Sequence, residues 1–202
     1  MEEKMNIGLF DLDGSLADYE GQLGKDLAKL LSEEDLKKFH ELGMWKADEQ
    51  EPFKSLIRLI KSQPCWWRNL PLLGNGLAIF DLSEQIGFKN HILTKGPKHY
   101  PRAWKEKVEW CQHLWGKGID IHITSDKGMV YGKFLYDDYP DYMERWLKRR
   151  PRGLGIMPAN DFNKDFQHPQ VIKWDGTNYN EVKEALDKCY KRDNCGKSKL
   201  VG

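Results

Sequence analysis

Apolar positions along the chain change spacing from one stretch to the next, and the changes mark its elements. Ile7-Gly8-Leu9-Phe10 is a short apolar run that stops at Asp11, which reads as a strand. From about Asp18 to Leu70 the spacing is helical. Leu23, Leu27 and Leu30 share one face. Leu36, Phe39 and Leu42 follow Ser32-Glu33-Glu34-Asp35, an N-cap with an acidic first turn. Phe53, Leu56, Ile57 and Ile60 follow Pro52, a residue suited to a first turn. No strand pattern interrupts this stretch.

From Pro71 onward strands and helices alternate. Ile79, Leu82 and Ile86 mark a helix closed by Gly87, and His91-Ile92-Leu93 reads as a strand. Trp104, Val108, Cys111 and Trp115 are spaced four, three and four, which predicts one apolar face on a helix ending at Gly116. Ile119, Ile121 and Ile123 alternate as in a strand. Phe134-Leu135-Tyr136 is a strand ending in Asp137-Asp138, and Met143, Trp146 and Leu147 lie on a helix. Leu154 to Met157 reads as a further strand. Val171-Ile172 leads into a last helix carrying Val182, Ala185, Leu186 and Cys189. This order predicts an α/β fold with a mostly parallel sheet and a small inserted helical cap. The expected boundaries are a core of 1–17 plus 71–192, a cap of 18–70 and a polar tail of 193–202.

Composition narrows the class. The 202 residues carry 32 Lys+Arg and 31 Asp+Glu, a formal charge of +1, so no global polyanion-binding charge exists. A hydrophobic fraction of 40% fits a soluble globular protein rather than a disordered one. No window approaches the roughly eighteen apolar residues of a membrane span, and Met1–Phe10 has no long apolar stretch, so neither a membrane location nor a secretory signal is expected. Cys65, Cys111, Cys189 and Cys195 form no Cys-x-x-Cys. They read as free thiols of a reducing cytoplasm, with a Cys189–Cys195 bridge as the alternative. The run Arg145, Lys148, Arg149, Arg150 and Arg152 reads as a solvated face, so nucleic acid is not the expected partner.

The chemistry lies at strand ends. Asp11 and Asp13 leave one strand end and Gly14 permits a tight turn; Asp137 and Asp138 end another. Ligands of open α/β sheets bind beyond the carboxyl ends of strands. Convergent carboxylates are costly without a cation, and their hard oxygens suit Mg²⁺. Taken singly, each pair could equally start a turn. Thr94, at a third strand end, and Lys107, on the next helix, could hold a phosphate.

Asp-x-Asp-Gly-Ser, then Thr, then Lys, then Asp-Asp resembles the four motifs of the haloacid dehalogenase (HAD) superfamily of phosphatases. The stretch Asp11 to Gly21, the spacing of Lys107 to Trp110 and Gly116, and Ser125-Asp126-Lys127 before Leu135-Tyr136-Asp137-Asp138 are similar to the 5'(3')-deoxyribonucleotidases, the cytosolic and mitochondrial pyrimidine nucleotidase family. The resemblance implies a HAD-like, Rossmann-type three-layer core. It implies Asp11 as nucleophile, forming an aspartyl-phosphate, and Asp13 as general acid and base. Thr94 and Lys107 would bind the phosphate. Mg²⁺ would be held by Asp11, the Asp13 carbonyl and Asp138, with Asp137 supporting.

By the same resemblance Tyr19, Met44, Trp45, Trp66 and Trp67 line a base pocket; Trp45 and Trp66 could instead fill a small helical core. Two positions depart from the family: Lys95 stands where it has Ser, beside the phosphate or sugar, and Ser125 where it has Arg. The expected activity is Mg²⁺-dependent dephosphorylation of (deoxy)ribonucleoside monophosphates in the cytoplasm. Another small phosphoester, a nucleic-acid 3'-phosphate end, or a non-catalytic nucleotide-binding module are the alternatives. A homodimer is left open.

Overall fold

The apolar run Ile7–Phe10 forms β1, and all four residues are buried because the strand lies inside a six-stranded parallel sheet. The computed structural model describes residues 6–192. The expected tail 193–202 and Cys195, with its alternative bridge, lie outside the described residues; Cys65, Cys111 and Cys189 are free thiols. The other strands are β2 (Lys89–Thr94), β3 (Asp120–Ile123), β4 (Phe134–Tyr136), β5 (Leu154–Pro158) and β6 (Val171–Trp174). Their order is β3-β2-β1-β4-β5-β6. Val171-Ile172 therefore belongs to a sixth strand rather than a mere lead-in to the last helix.

Helices α1 (Tyr19–Ala28), α2 (Glu33–Leu42), α3 (Met44–Ala47) and α4 (Phe53–Ser62) lie between β1 and β2, followed by a 3-10 turn at Trp67–Asn69 and α5 (Gly74–Ile86). Next come α6 (Pro101–Trp115), α7 (Pro140–Lys148) and α8 (Tyr179–Lys191). Side chains alternate across the sheet. Leu9, Leu93, Leu135 and Met157 meet Met143, Trp146 and Leu147 of α7. Phe10, Ile92, Tyr136 and Ile156 face the side of α5, α6 and α8. Cover on both faces is why these strands read as continuous apolar runs. It also makes three layers.

The same apolar cluster continues into Leu23, Leu27, Phe39, Ile57 and Ile60 of the helical stretch. Ser32 caps α2 by accepting the Asp35 N–H, as its sequence predicts. Leu30 lies beyond the end of α1 and is 51% exposed. The chain leaves and re-enters the sheet layer side by side: the Asp18 N–H donates to the Pro71 carbonyl and the Leu73 N–H to the Leu16 carbonyl, each at 2.8 Å. The basic run is mostly a solvated face, although Arg149 pairs with Asp126 at 3.1 Å and the Arg150 guanidinium lies 5.7 Å from the Tyr131 ring centre. Among the described residues no helix is long and apolar enough to cross a membrane.

Helix α6 corrects one expectation. Its inward face is Ala103, Glu106, Lys107, Trp110 and Cys111, whereas Trp104 is 42% exposed and its indole donates to the Pro97 carbonyl. The helix is rotated so that two charged residues point inward, each for a local reason. Glu106 accepts the backbone N–H groups of Cys65, at 2.9 Å, and Trp67, at 3.2 Å. Trp110 donates to the Leu70 carbonyl at 2.8 Å. These bonds fasten the returning end of the helical stretch to α6. Glu106→Ala leaves two N–H groups unpaired beside a new cavity. It is expected to cost about 2–4 kcal/mol in urea denaturation; a loss below about 0.5 kcal/mol would show that the contact is dispensable.

Candidate active site

In this strand order the direction of winding reverses between β1 and β4, and their carboxyl ends open a crevice. The Asp11 N–H donates to the Tyr136 carbonyl at 2.9 Å, so the chain leaving β1 stays beside β4. A tight turn follows, in which the N–H groups of Ser15, Leu16 and Ala17 all reach the Leu12 carbonyl. Gly14 adopts φ +77°, and a Cβ there would run into the Asp138 carboxylate, so both conformation and space call for glycine. Ser15 joins the two strand ends. Its hydroxyl donates to Asp138 Oδ1 at 3.3 Å and accepts the Asp138 N–H at 3.1 Å.

Two buried lysines partition the carboxylates. Lys107 Nζ lies 2.6 Å from Asp13 Oδ2, 3.1 Å from Thr94 Oγ1 and 3.0 Å from the Lys95 carbonyl. Lys127 Nζ lies 2.7 Å from Asp11 Oδ1 and 2.6 Å from Asp137 Oδ2. Lys127 starts a 3-10 turn, Lys127–Met129, between β3 and β4. Ser125-Asp126-Lys127 marks the segment in the sequence but not the role of Lys127, because an isolated loop lysine carries no periodic signal. Burial pushes its pKa down, but Asp11 and Asp137 outweigh burial and hold it above the usual lysine range.

Asp11, Asp137 and Asp138 each place a carboxylate oxygen within 4.8 Å of the others, all three residues being buried. Burial pushes the Asp137 carboxyl up to about 7 despite the opposing pull of Lys127. Burial, then Asp137 and Asp11, raise that of Asp138 well above the ordinary range. Three carboxylates thus face one ammonium, and every donor is a hard oxygen, a set that fits a divalent cation such as Mg²⁺. Asp137 is committed on both oxygens, to Lys127 and to the Tyr139 N–H at 3.0 Å, which leaves Asp11 and Asp138 the freer donors.

Asp13 keeps 30% of its side chain open to the cleft, yet its Oδ1 is buried without a hydrogen-bond partner. Burial raises its pKa and Lys107 opposes this, with a net upward shift. A carboxyl so placed can hold and release a proton nearer neutrality.

The cleft above these groups is about 480 Å³. Asp11, Asp13, Thr94, Lys95, Asp138, Tyr19 and Trp67 line it, with Lys107 and Asp137 buried beneath. Tyr19 and Trp67 stack with ring centres 5.6 Å apart. Trp66 does not line the cleft: it is buried, and its indole donates to Asp26 at 2.9 Å. Met44 packs half-buried against the apolar cluster, also outside the lining. Trp45 lies in α3, and its side chain is outside the described part. Lys61, Asp48, Lys98, His99 and Tyr142 also line the cleft, although the sequence marks none of them as site residues.

No curated protein matches the chain in sequence. The fold is similar to a haloacid dehalogenase-like hydrolase of Burkholderia xenovorans, at 11% identity and TM-score 0.55 over 95% of this chain and 100% of that one. It is similar to a HAD hydrolase of Bacillus subtilis bound to magnesium, at 14% identity and TM-score 0.53 over 85% and 93%. A haloacid dehalogenase-like hydrolase of Xanthomonas campestris shares 14% identity and TM-score 0.53 over 95% and 100%. The model of the 5' nucleotidase, deoxy (Pyrimidine), cytosolic type C family matches residues 5–184. The chain therefore belongs to the cytosolic type C 5'-nucleotidase family and is a phosphatase of HAD-like fold.

Proposed function

We propose that the enzyme hydrolyses nucleoside monophosphates, ribo or deoxy, through a phosphoryl group carried on Asp11, with Mg²⁺ as cofactor. The observation that carries this reading is the division of labour between two carboxylates two residues apart. Asp11 is held by Lys127, while Asp13 has a raised pKa and a separate lysine. Asp11 attacks phosphorus and the ester oxygen departs. Asp13 gives that oxygen its proton, then takes one from the water that releases phosphate. Thr94 and Lys107 hold phosphoryl oxygens, and Lys127, 2.7 Å from Asp11 Oδ1, keeps Asp11 aimed. Asp11, Asp138 and the Asp13 carbonyl, with Asp137 in support, would hold Mg²⁺, which would supply positive charge against that of the phosphoryl oxygens.

The leaving group lies against α1 and the Trp67 turn. In this reading residues 18–70 form a cap on a core of 1–17 and 71–192, with the paired crossings at Ala17 and Leu72 as the joint. The stacked Tyr19 and Trp67 rings offer a base an aromatic face. Action in the cytoplasm agrees with the three free thiols and with the family's cytosolic type.

The test is phosphate release from 5'- and 3'-monophosphates, ribo and deoxy, in Mg²⁺ and in EDTA. Release in Mg²⁺ that falls at least about a hundredfold in EDTA is expected. Equal release in EDTA would sink the metal assignment. Release from a chromogenic ester but from no nucleotide would sink the substrate class.

A further inference from the structure

The proposed reaction employs Lys107 and Lys127. The same cleft contains Lys61, Lys95 and Lys98, with His99 beside them. Lys95, Lys98 and His99 sit together on the loop between β2 and α6, exposed at the rim. Among the cleft residues outside the proposed reaction centre the one carboxylate is Asp48, 3.5 Å from Lys61 Nζ. Lys95 donates to the Tyr142 hydroxyl at 2.9 Å, a neutral partner that leaves its charge uncompensated. Lys98 and His99 have no side-chain partner among the described residues.

A nucleoside leaving group is neutral. It has a base for Tyr19 and Trp67 and hydroxyls for polar neighbours, but nothing to offset two unpaired ammonium groups. Lys95 and Lys98, neighbours on one loop without a carboxylate partner, repel each other and make a local positive potential where they line the cleft. A second anionic group on the substrate offsets that potential at the moment of binding.

We infer that the preferred substrates are nucleoside bisphosphates: one phosphate is hydrolysed, and the other, still on the leaving nucleoside, is received by Lys95 and Lys98. This rests on the phosphatase reading above. The balance is simple. Water supplies the oxygen that replaces the broken P–O ester bond, inorganic phosphate leaves, and the freed hydroxyl takes its proton from Asp13. The nucleoside departs as a monophosphate.

The experiment compares kcat/KM on a nucleoside 3',5'-bisphosphate with that on its 5'- and 3'-monophosphates, for wild type and for Lys95→Gln/Lys98→Gln. The readout is the ratio between substrates, so a general effect of the variant cancels. Wild type is expected to favour the bisphosphate about tenfold, the scale of one or two partly exposed ion pairs. The preference should reside in KM and shrink as salt is added. In the variant the ratio should collapse toward one. A wild-type ratio near one, or a ratio unchanged in the variant, overturns the inference while the monophosphatase reading stands. Higher efficiency on a 3'-phosphorylated oligonucleotide also overturns it, in favour of nucleic-acid ends. No release from any phosphomonoester overturns both the inference and the reading beneath it.

Discussion

Asp11→Asn is expected to lower kcat on every phosphomonoester by at least about 10⁴-fold, the scale seen when a covalent nucleophile is removed, without unfolding the protein. The amide is nearly the same size and its carbonyl oxygen can still accept from Lys127, now 2.7 Å from Asp11 Oδ1. A neutral amide is a poor nucleophile, so the step that Lys127 and the strand end prepare cannot begin. Stability should hold or rise in the absence of metal, because one of three convergent carboxylates has lost its charge. Asp13→Asn provides the contrast. An acidic phenol needs no proton in order to leave, so the Asp13 variant should lose far more activity on a nucleotide than on an aryl phosphate. Phosphate release on both esters, with circular dichroism as the control for folding, decides it. If Asp11→Asn kept activity within tenfold of wild type, Asp11 would not be the nucleophile; equal losses on the two esters for Asp13→Asn would deny it the acid role.

What the sequence discloses of this site depends on how each residue is placed. Strand ends are legible because an apolar run that stops at an acid, as at Phe10-Asp11 and Tyr136-Asp137, marks both the buried strand and the polar crevice beyond it. Helix α6 was legible in extent and hidden in orientation. Its inward face includes Glu106 and Lys107, so a reading based on apolar residues turned the helix toward Trp104. Lys127 lies in a three-residue turn and repeats with nothing. Trp66 and Trp67 are adjacent and chemically identical. At about three residues per turn their side chains diverge by roughly a third of a revolution, which sends Trp66 toward Asp26 and Trp67 toward the cleft. The resemblance implies the same pocket for both tryptophans; only the backbone path separates them.

Lys127→Met should have the largest effect on stability. The lysine side chain is 1% exposed, that of Asp137 0% and that of Asp11 8%, so removal leaves buried carboxylates without their cation. Methionine fills much of the space, which isolates charge from packing. In EDTA at neutral pH the expected loss is about 3–5 kcal/mol, the cost of breaking one side of a buried ion pair. Its pH dependence follows from Asp137, whose folded-state pKa is already raised to about 7 while Lys127 pulls it down. Without the lysine it rises further. A carboxyl whose pKa is raised on folding binds its proton more tightly in the folded state, so its contribution is full below the unfolded value of about 4. That contribution is lost as pH rises through the folded value. The gap between variant and wild type should therefore be smallest near pH 5 and widen toward pH 8. Mg²⁺ should narrow it at the alkaline end, because a divalent cation restores the charge that the ammonium supplied. Urea denaturation across that range, with EDTA or with Mg²⁺, measures both effects. A gap that neither pH nor Mg²⁺ changes would mean that Lys127 holds the site by packing alone. A gap that widens with pH and does not respond to Mg²⁺ would keep the charge argument and remove the metal from the carboxylate cluster.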